Sequence, residues 1–283
     1  MLYSREQVID LMNKWGSENI PFLFIVDFEM KRIQLFRIDQ PLPLEIKFSF
    51  PNFNERKPPK LAVQNFSFEK YPIAFSKYKE AFDKAIHEIY VGNSFLLNLT
   101  FPTKIDTNLT FTDFFDHANS KYKLLVNNEF VVFSPETFTQ INEGIISSNP
   151  MKGTINANVE NAKEKILANE KETAEHNTIV DLIRNDLSKV ASGVHVKRFR
   201  YIDEIKTNQG SLLQVSSEIE GKLPNNFHEN IGDILFTLLP VGSVTGAPKE
   251  KTVNIIKSVE SGERRYTQEF LAISKIKALI VLL

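Results

Sequence analysis

The sequence predicts a single α+β domain. Many short runs rich in aromatic and β-branched residues read as mostly antiparallel strands, and a few long segments carry apolar residues at helical spacing. No internal repeat, low-complexity tract or convincing linker divides the chain. Its 283 residues, 42% of them hydrophobic, are enough to bury a substantial core. A formal net charge of −1 and the lack of a sustained Lys/Arg block argue against nucleic acid and against a polybasic membrane role. Small molecules or proteins are left as partners. There is no cysteine, which excludes disulfides, thiolate nucleophiles and thiolate metal sites. The opening MLYSREQVIDLMNKWG has charges and no apolar signal core, and no run of eighteen apolar residues occurs. A cytoplasmic protein is the expectation.

In chain order, Ser4 to Trp15 reads as a short helix, followed by the strand-like runs PFLFIVDF and RIQLFRI. Pro51 to Pro59, PNFNERKPP, is a loop by its Pro, Asn and charge content. A long helix runs from about Ser76 to Tyr90. It has Tyr78, Ala81, Phe82, Ala85, Ile86 and Ile89 at helical spacing and Gly92-Asn93 as its stop. Strands are then expected in SFLLNLTFPT, YKLLVNN, EFVVFSPETF and TQINEGIISS. A helix carries AEHNTIVDLIRND, Ala174 to Asp186. The runs VHVKRFRYI and SLLQVSSEIEG follow as strands, and Asn230 to Leu238 as a helix.

That Ala174–Asp186 segment is the most informative. At about 100° per residue, Glu175, Ile179, Leu182 and Asp186 share one face, with Ile183 beside them. Carboxylates on an apolar stripe need a basic partner, backbone donors or a metal ion. From this pattern alone, a solvated helix flank or a structural ion pair is the simpler reading. Lys152 lies in Asn149-Pro150-Met151-Lys152-Gly153-Thr154, where Pro fixes the entry and Gly allows close approach of a ligand. A lysine in a partly dry pocket can act as nucleophile or base, although the segment alone reads as a turn with a surface lysine. Glu136, in Ser134-Pro135-Glu136, ends a strand sixteen residues before Lys152. If the two strands form a hairpin, both residues reach one ligand, with Glu136 as a general acid. A turn residue is the simpler reading. Finally, Gly242-Ser243-Val244-Thr245-Gly246-Ala247-Pro248-Lys249 has the character of an anion-binding loop entering the helix TVNIIKSVE, without the spacing of a phosphate P-loop.

Taken together and in this order, SPE, PMKGT, AEHNTIVDLIRND and LLPVGSVTGAPKEKTVNIIKSVE resemble the chorismate-utilising enzymes, over about Ser76 to Tyr266. The resemblance implies one domain over residues 1–283, with two stacked, mostly antiparallel sheets wrapped by helices. Residues 1–75 supply N-terminal strands and a helix, 76–266 the family core, and 267–283 a tail. It is nearest to the short form of aminodeoxychorismate synthase component I, which resembles this chain in having Lys in the PMKGT motif where anthranilate synthases usually have Ala.

By this resemblance Lys152 attacks C2 of chorismate while Glu136 protonates the departing C4 hydroxyl, and ammonia from a glutamine amidotransferase partner then displaces the lysine. Glu175 is implied as a Mg²⁺ ligand. Ser243, Thr245 and the Gly246 backbone are implied to hold a substrate carboxylate. Gln214, which stands where the family often has His, is implied as a further substrate-binding residue. Asp186 and Arg184 read as structural. Related reactions giving anthranilate or isochorismate stay open, as does a non-catalytic paralogue that binds chorismate or the amidotransferase.

The end departs from the family. After Tyr266-Thr267 the chain reads QEFLAISKIKALIVLL, where the family continues through further strands, a substrate-binding Arg and a second Glu for Mg²⁺. A shifted reading frame or an early stop both fit. Missing C-terminal strands, an unpaired edge on the central sheet, an aggregation-prone tail and impaired activity are the expectations.

Overall fold

The computed structural model describes residues 3–51, 54, 65–126, 129–134, 137–207, 210–268, 270–275 and 278–282. Most of the loop expected between Pro51 and Pro59 lies outside the described residues. Helix α1 (Arg5–Ser17) opens on a capping box, in which the Ser4 hydroxyl accepts from the Gln7 N–H and the Gln7 side chain accepts from the Ser4 N–H. After it come β1 (Phe22–Val26), β2 (Ile33–Arg37), β3 (Ile46–Ser49), β4 (Phe68–Tyr71), α2 (Phe75–Tyr90), β5 (Leu96–Leu97) and β6 (Lys104–Thr107). The middle holds α3 (Phe111–His117), β7 (Tyr122–Val126), β8 (Phe130–Ser134), β9 (Thr137–Asn142), β10 (Ile145–Ser148), β11 (Met151–Asn156) and α4 (Ala162–Ala168). Then follow α5 (Glu170–Leu187), β12 (Ser192–Thr207), β13 (Gly210–Lys222), α6 (Ile231–Leu238), α7 (Gly242–Thr245), β14 (Gly246–Ala247), α8 (Lys249–Val259), β15 (Phe270–Lys275) and β16 (Ala278–Leu282).

Among the described residues the main sheet has nine antiparallel strands. β13 pairs with β12 along one edge and with β10 and β11 in tandem along the other, and the sheet continues from β10 through β9, β16, β15 and β1 to β2. A second sheet, β3-β7-β8, stacks on one face. Strand β1 shows why three layers form. All five of its residues are buried. Because side chains alternate, Phe22, Phe24 and Val26 meet helices α1, α5 and α6 on one face, while Leu23 and Ile25 meet Phe48, Leu124 and Val126 of the second sheet on the other.

The tail corrects the sequence expectation of an unpaired central sheet. β15 pairs with β1, Phe22 opposite Ser274, and β16 pairs with β9, Leu279 opposite Ile141. Strands β15 and β16 therefore fill the middle of the sheet, and their apolar character is that of strands covered on both faces. Ala272, Ile273 and Leu279 are buried. An aggregation-prone free tail is not what the structure contains.

Two further expectations change. SFLLNLTFPT keeps only Leu96–Leu97 of its expected strand before β6, because the ladder partner there is the two-residue β14. Helix α2 has the expected apolar stripe, yet it buries Ala81 and Ala85 and leaves Phe75, Tyr78, Phe82 and Ile86 exposed, the first three as a stacked aromatic row.

Ile273 tests the tail. Its side chain packs with Leu23, Ile25 and Phe48 between the two sheets, so Ile273→Ala should cost about 2–5 kcal/mol. Urea unfolding should show a lower midpoint with an unchanged slope. A variant as stable as the parent would show that the tail is not packed in the sheet.

Candidate active site

Strand β13 organises the site through irregularities in both of its neighbours. In β11, Met151 stands opposite Ser216 and Thr154 opposite Gln214. Two residues, Lys152 and Gly153, therefore face the single residue Val215, which is a β-bulge. Gly153 supplies the left-handed conformation, at φ 86°. The bulge turns Lys152 toward α5, away from the face that Met151 presents. In β12, Arg198 stands opposite Glu218 and Tyr201 opposite Ser216, so Phe199 and Arg200 face Ser217.

Helix α5 starts at Asn169, whose side chain accepts from the Glu172 N–H. It buries His176, Ile179, Val180, Ile183, Asp186 and Leu187, with Glu175 and Leu182 on the border of that face. Lys152 Nζ lies 3.4 Å from Glu175 Oε2, and Lys171 Nζ 3.7 Å from Oε1. The side chains of Lys152 and Glu175 are 37% and 29% exposed, so the pair sits at the mouth of the site, not in a dry pocket. Sequence reasoning missed Glu172, whose carboxylate lies so close to Gly153 that a Cβ there would stand 3.3 Å from Oε2. Its spacing of three from Glu175 places both on one helix face, a signal that was available. It also missed His176, which is fully buried with Nε2 2.7 Å from Ser217 Oγ.

Asp186 acts structurally, as expected. It is 2% exposed and pairs with Lys249 at 2.7 Å and Lys189 at 2.9 Å. Lys249 also donates to the Leu238 carbonyl. Burial pushes the Lys249 ammonium down from its ordinary value, and Asp186 opposes that shift. This pair ties the 242–249 loop to the C-terminal half of α5, where Leu182 closes over Gly242. Arg184 instead meets the exposed Asp181 at 3.4 Å.

The loop itself is less available to a ligand than its sequence suggests. Thr245 is fully buried and its hydroxyl donates to the Val241 carbonyl. The Gly246 N–H donates to Gly242. Gly246, at φ 130°, is needed because a Cβ would fall 1.9 Å from the Leu96 carbonyl oxygen. The expected carboxylate donors Thr245 and Gly246 are thus committed within the loop. The Ser243 side chain lies outside the described residues.

Glu136 also lies outside the described residues. The strand before it, β8, pairs with β7, so the expected hairpin is made instead by the strand after it, β9, with β10. Gln214 alternates with Val215 and faces away from Lys152, opposite Thr154 and Asp203. On that face Asn149, Met151, Thr137, Tyr201, Lys121 and Ser216 line a cavity of about 550 Å³, a size that suits a small molecule. The structure brings Lys152, Glu175 and Glu172 together on the α5 side and leaves Gln214 on the other.

Mg²⁺ takes about six oxygen ligands. Among the described residues no three His, Asp or Glu side chains gather that could hold a metal ion, and each Glu175 oxygen faces a lysine. The described donors therefore do not make a protein-held Mg²⁺ site by themselves.

Fold and site define an α+β protein with a lysine–carboxylate pair set by a bulge between sheet and helix. The chain belongs to the chorismate binding enzymes, a family that matches residues 37–268. It is 46% identical over 262 residues to an uncharacterized PabA-like protein of Haemophilus influenzae, covering 92% of this chain and 79% of that one. The chloroplastic anthranilate synthase alpha subunit 1 of Arabidopsis thaliana is 29% identical over 267 residues, covering 82% of this chain and 43% of that one. Among solved structures, the menaquinone-specific isochorismate synthase MenF of Escherichia coli aligns with a TM-score of 0.68 at 12% identity, over 100% of this chain and 73% of that one. Anthranilate synthase component I of Streptococcus pneumoniae gives 0.63 at 22%, over 79% and 51%. At these identities the structural likeness is one of fold. Among the described residues no helix is long and apolar enough to cross a membrane.

His176 gives the site a pH signature. Burial, then the charge of Arg200, lower its pKa from the ordinary 6.5, and a main-chain contact with Lys152 opposes this. The unfolded chain then binds the proton more readily than the folded one. Stability should rise with pH from below the folded pKa up to the unfolded value and level off above it. Denaturant unfolding between about pH 5 and 7 should show a smaller rise for His176→Gln than for the parent protein. Equal slopes would mean that His176 titrates normally.

Proposed function

We propose that this chorismate-binding enzyme is an aminodeoxychorismate synthase component I, converting chorismate and ammonia to 4-amino-4-deoxychorismate and water. The observation that supports this most is a lysine, in place of a small residue, on the bulge at position 152 beside the Glu175 carboxylate. An amine there can act as a nucleophile once neutral. In this reading Lys152 Nζ bonds to C2 of chorismate, the ring double bonds shift, and the C4–O bond breaks. Glu136 gives the departing hydroxyl its proton. Ammonia adds at C4, the double bonds return, the C2–N bond breaks and Lys152 is restored. Glu175 holds Lys152 in place between turnovers. A glutamine amidotransferase partner is the proposed source of ammonia. Mg²⁺ at Glu175 would need oxygen donors from substrate or water and displacement of both lysines.

Lys152→Ala tests the reading. With chorismate and ammonium, the parent protein should form 4-amino-4-deoxychorismate. The variant should lose that product by about 100-fold or more, since a covalent route is removed. Chromatography of the products decides. Anthranilate or isochorismate from the parent protein, unchanged in the variant, would assign a different reaction of the same family. Chorismate binding without any product would assign a binding role.

A further inference from the structure

Beside the groups proposed to react lies a buried histidine with no assigned task. His176 follows Glu175 on α5, is fully buried, and has Phe199 edge-on to its ring at 6.0 Å between centroids. Nε2 is 2.7 Å from Ser217 Oγ. That same hydroxyl accepts the Arg200 N–H at 3.0 Å, at the bulge in β12. The Ser217 N–H in turn donates to the Pro150 carbonyl at 3.0 Å, at the entry to β11, while Nδ1 of the ring completes no hydrogen bond. Through Ser217 one imidazole is thus linked to β13, to the bulge in β12 and to the entry of β11.

We propose that His176 is the positioning residue for Lys152. By holding the Ser217 hydroxyl it fixes β13 and the entry of β11 relative to α5, and so the height of the bulge and the reach of Lys152 Nζ toward Glu175. A bulge leaves its extra residue without a regular ladder partner. The conformation of residues 152–153 must therefore be set by contacts outside the ladder. Gly153 supplies the permitted backbone geometry but no grip. His176 supplies the grip. The catalytic part of the proposal rests on the reading of Lys152 as nucleophile; the positional part does not.

His176→Gln, His176→Asn and Ser217→Ala, each checked for folding by circular dichroism, separate the possibilities. Gln keeps a polar group near the Nε2 position that meets Ser217, which the shorter Asn does not, so Gln should lose less than Asn. Two readouts apply. The first is the rate at which an amine-reactive acylating reagent labels Lys152, measured by peptide mass spectrometry against Lys171 as internal reference. The second is kcat and KM for chorismate with ammonium. Because a misplacement of about 1 Å can cost about 100-fold in rate, the folded variants should lose about 10- to 100-fold in kcat with a much smaller change in KM. The Lys152-to-Lys171 labelling ratio should shift by about threefold or more. A folded Ser217→Ala protein with parental labelling and parental kcat would overturn the proposal, even if both His176 variants fail to fold. If the parent protein shows no turnover, the functional reading fails while the labelling ratio still decides the position of Lys152.

Discussion

Everything at the site depends on one helix having to bury two ionisable side chains against a sheet. On α5, His176 and Asp186 lie among Ile179, Val180, Ile183 and Leu187, and leaving either without a partner would cost more than the helix gains from its neighbours. Each therefore captures something. His176 takes the Ser217 hydroxyl of β13, and Asp186 takes Lys249 from the loop ahead of α8. Removing one partner of a buried ion pair typically costs about 3–5 kcal/mol, so that loop has little freedom to drift. The two anchors stand about ten residues apart, on the order of 15 Å of helix, and Glu172 and Glu175 lie in the turn just ahead of the first of them.

Lys152 reaches that face only because β11 is irregular. In a regular ladder residues 151 and 152 would alternate, and the position opposite Val215 would hold one side chain. The extra residue lets Lys152 and Gly153 share the α5 side while Met151 and Thr154 keep to the cavity side. The sheet therefore has two chemically different faces at the same height: charged groups against the helix, and a roomy cavity with Tyr201 and Ser216 on the other.

Much of this was legible in the sequence, and the reasons differ by element. The α+β class followed from the mixture of strand-like runs and amphipathic stretches, and α1, α2 and α6 begin and end close to where apolar periodicity places them, whereas α5 starts at Glu170, ahead of the expected Ala174. The carboxylate on the border of the α5 stripe pointed to a basic partner, backbone donors or a metal ion, with Mg²⁺ as the reading the family resemblance implied; in the structure it faces Lys152 and Lys171. Three things were not legible. A bulge has no sequence signature beyond a glycine, so the face that Lys152 takes could not be read. The partners of Thr245 and Gly246 are their own loop, which spacing alone cannot distinguish from a ligand. The place of β15 and β16 in the sheet depends on pairing with β1 and β9, both far away in sequence, and the lack of alternation in this part of the sequence suits strands buried on both sides as well as it suits a stray apolar end.

That last arrangement has a consequence for how the chain comes to be folded. Phe22 finds its hydrogen-bonding neighbour at Ser274, about 250 residues later. At about 5–20 residues per second, synthesis leaves the FLFIV segment for tens of seconds with one edge unmatched. No local hairpin can satisfy it beyond β2. During that interval its apolar side chains must be shielded by α1, by early contacts or by a chaperone. The enzyme's slowest vulnerability is therefore a matter of order of arrival, and it lies in its first strand and not in its last.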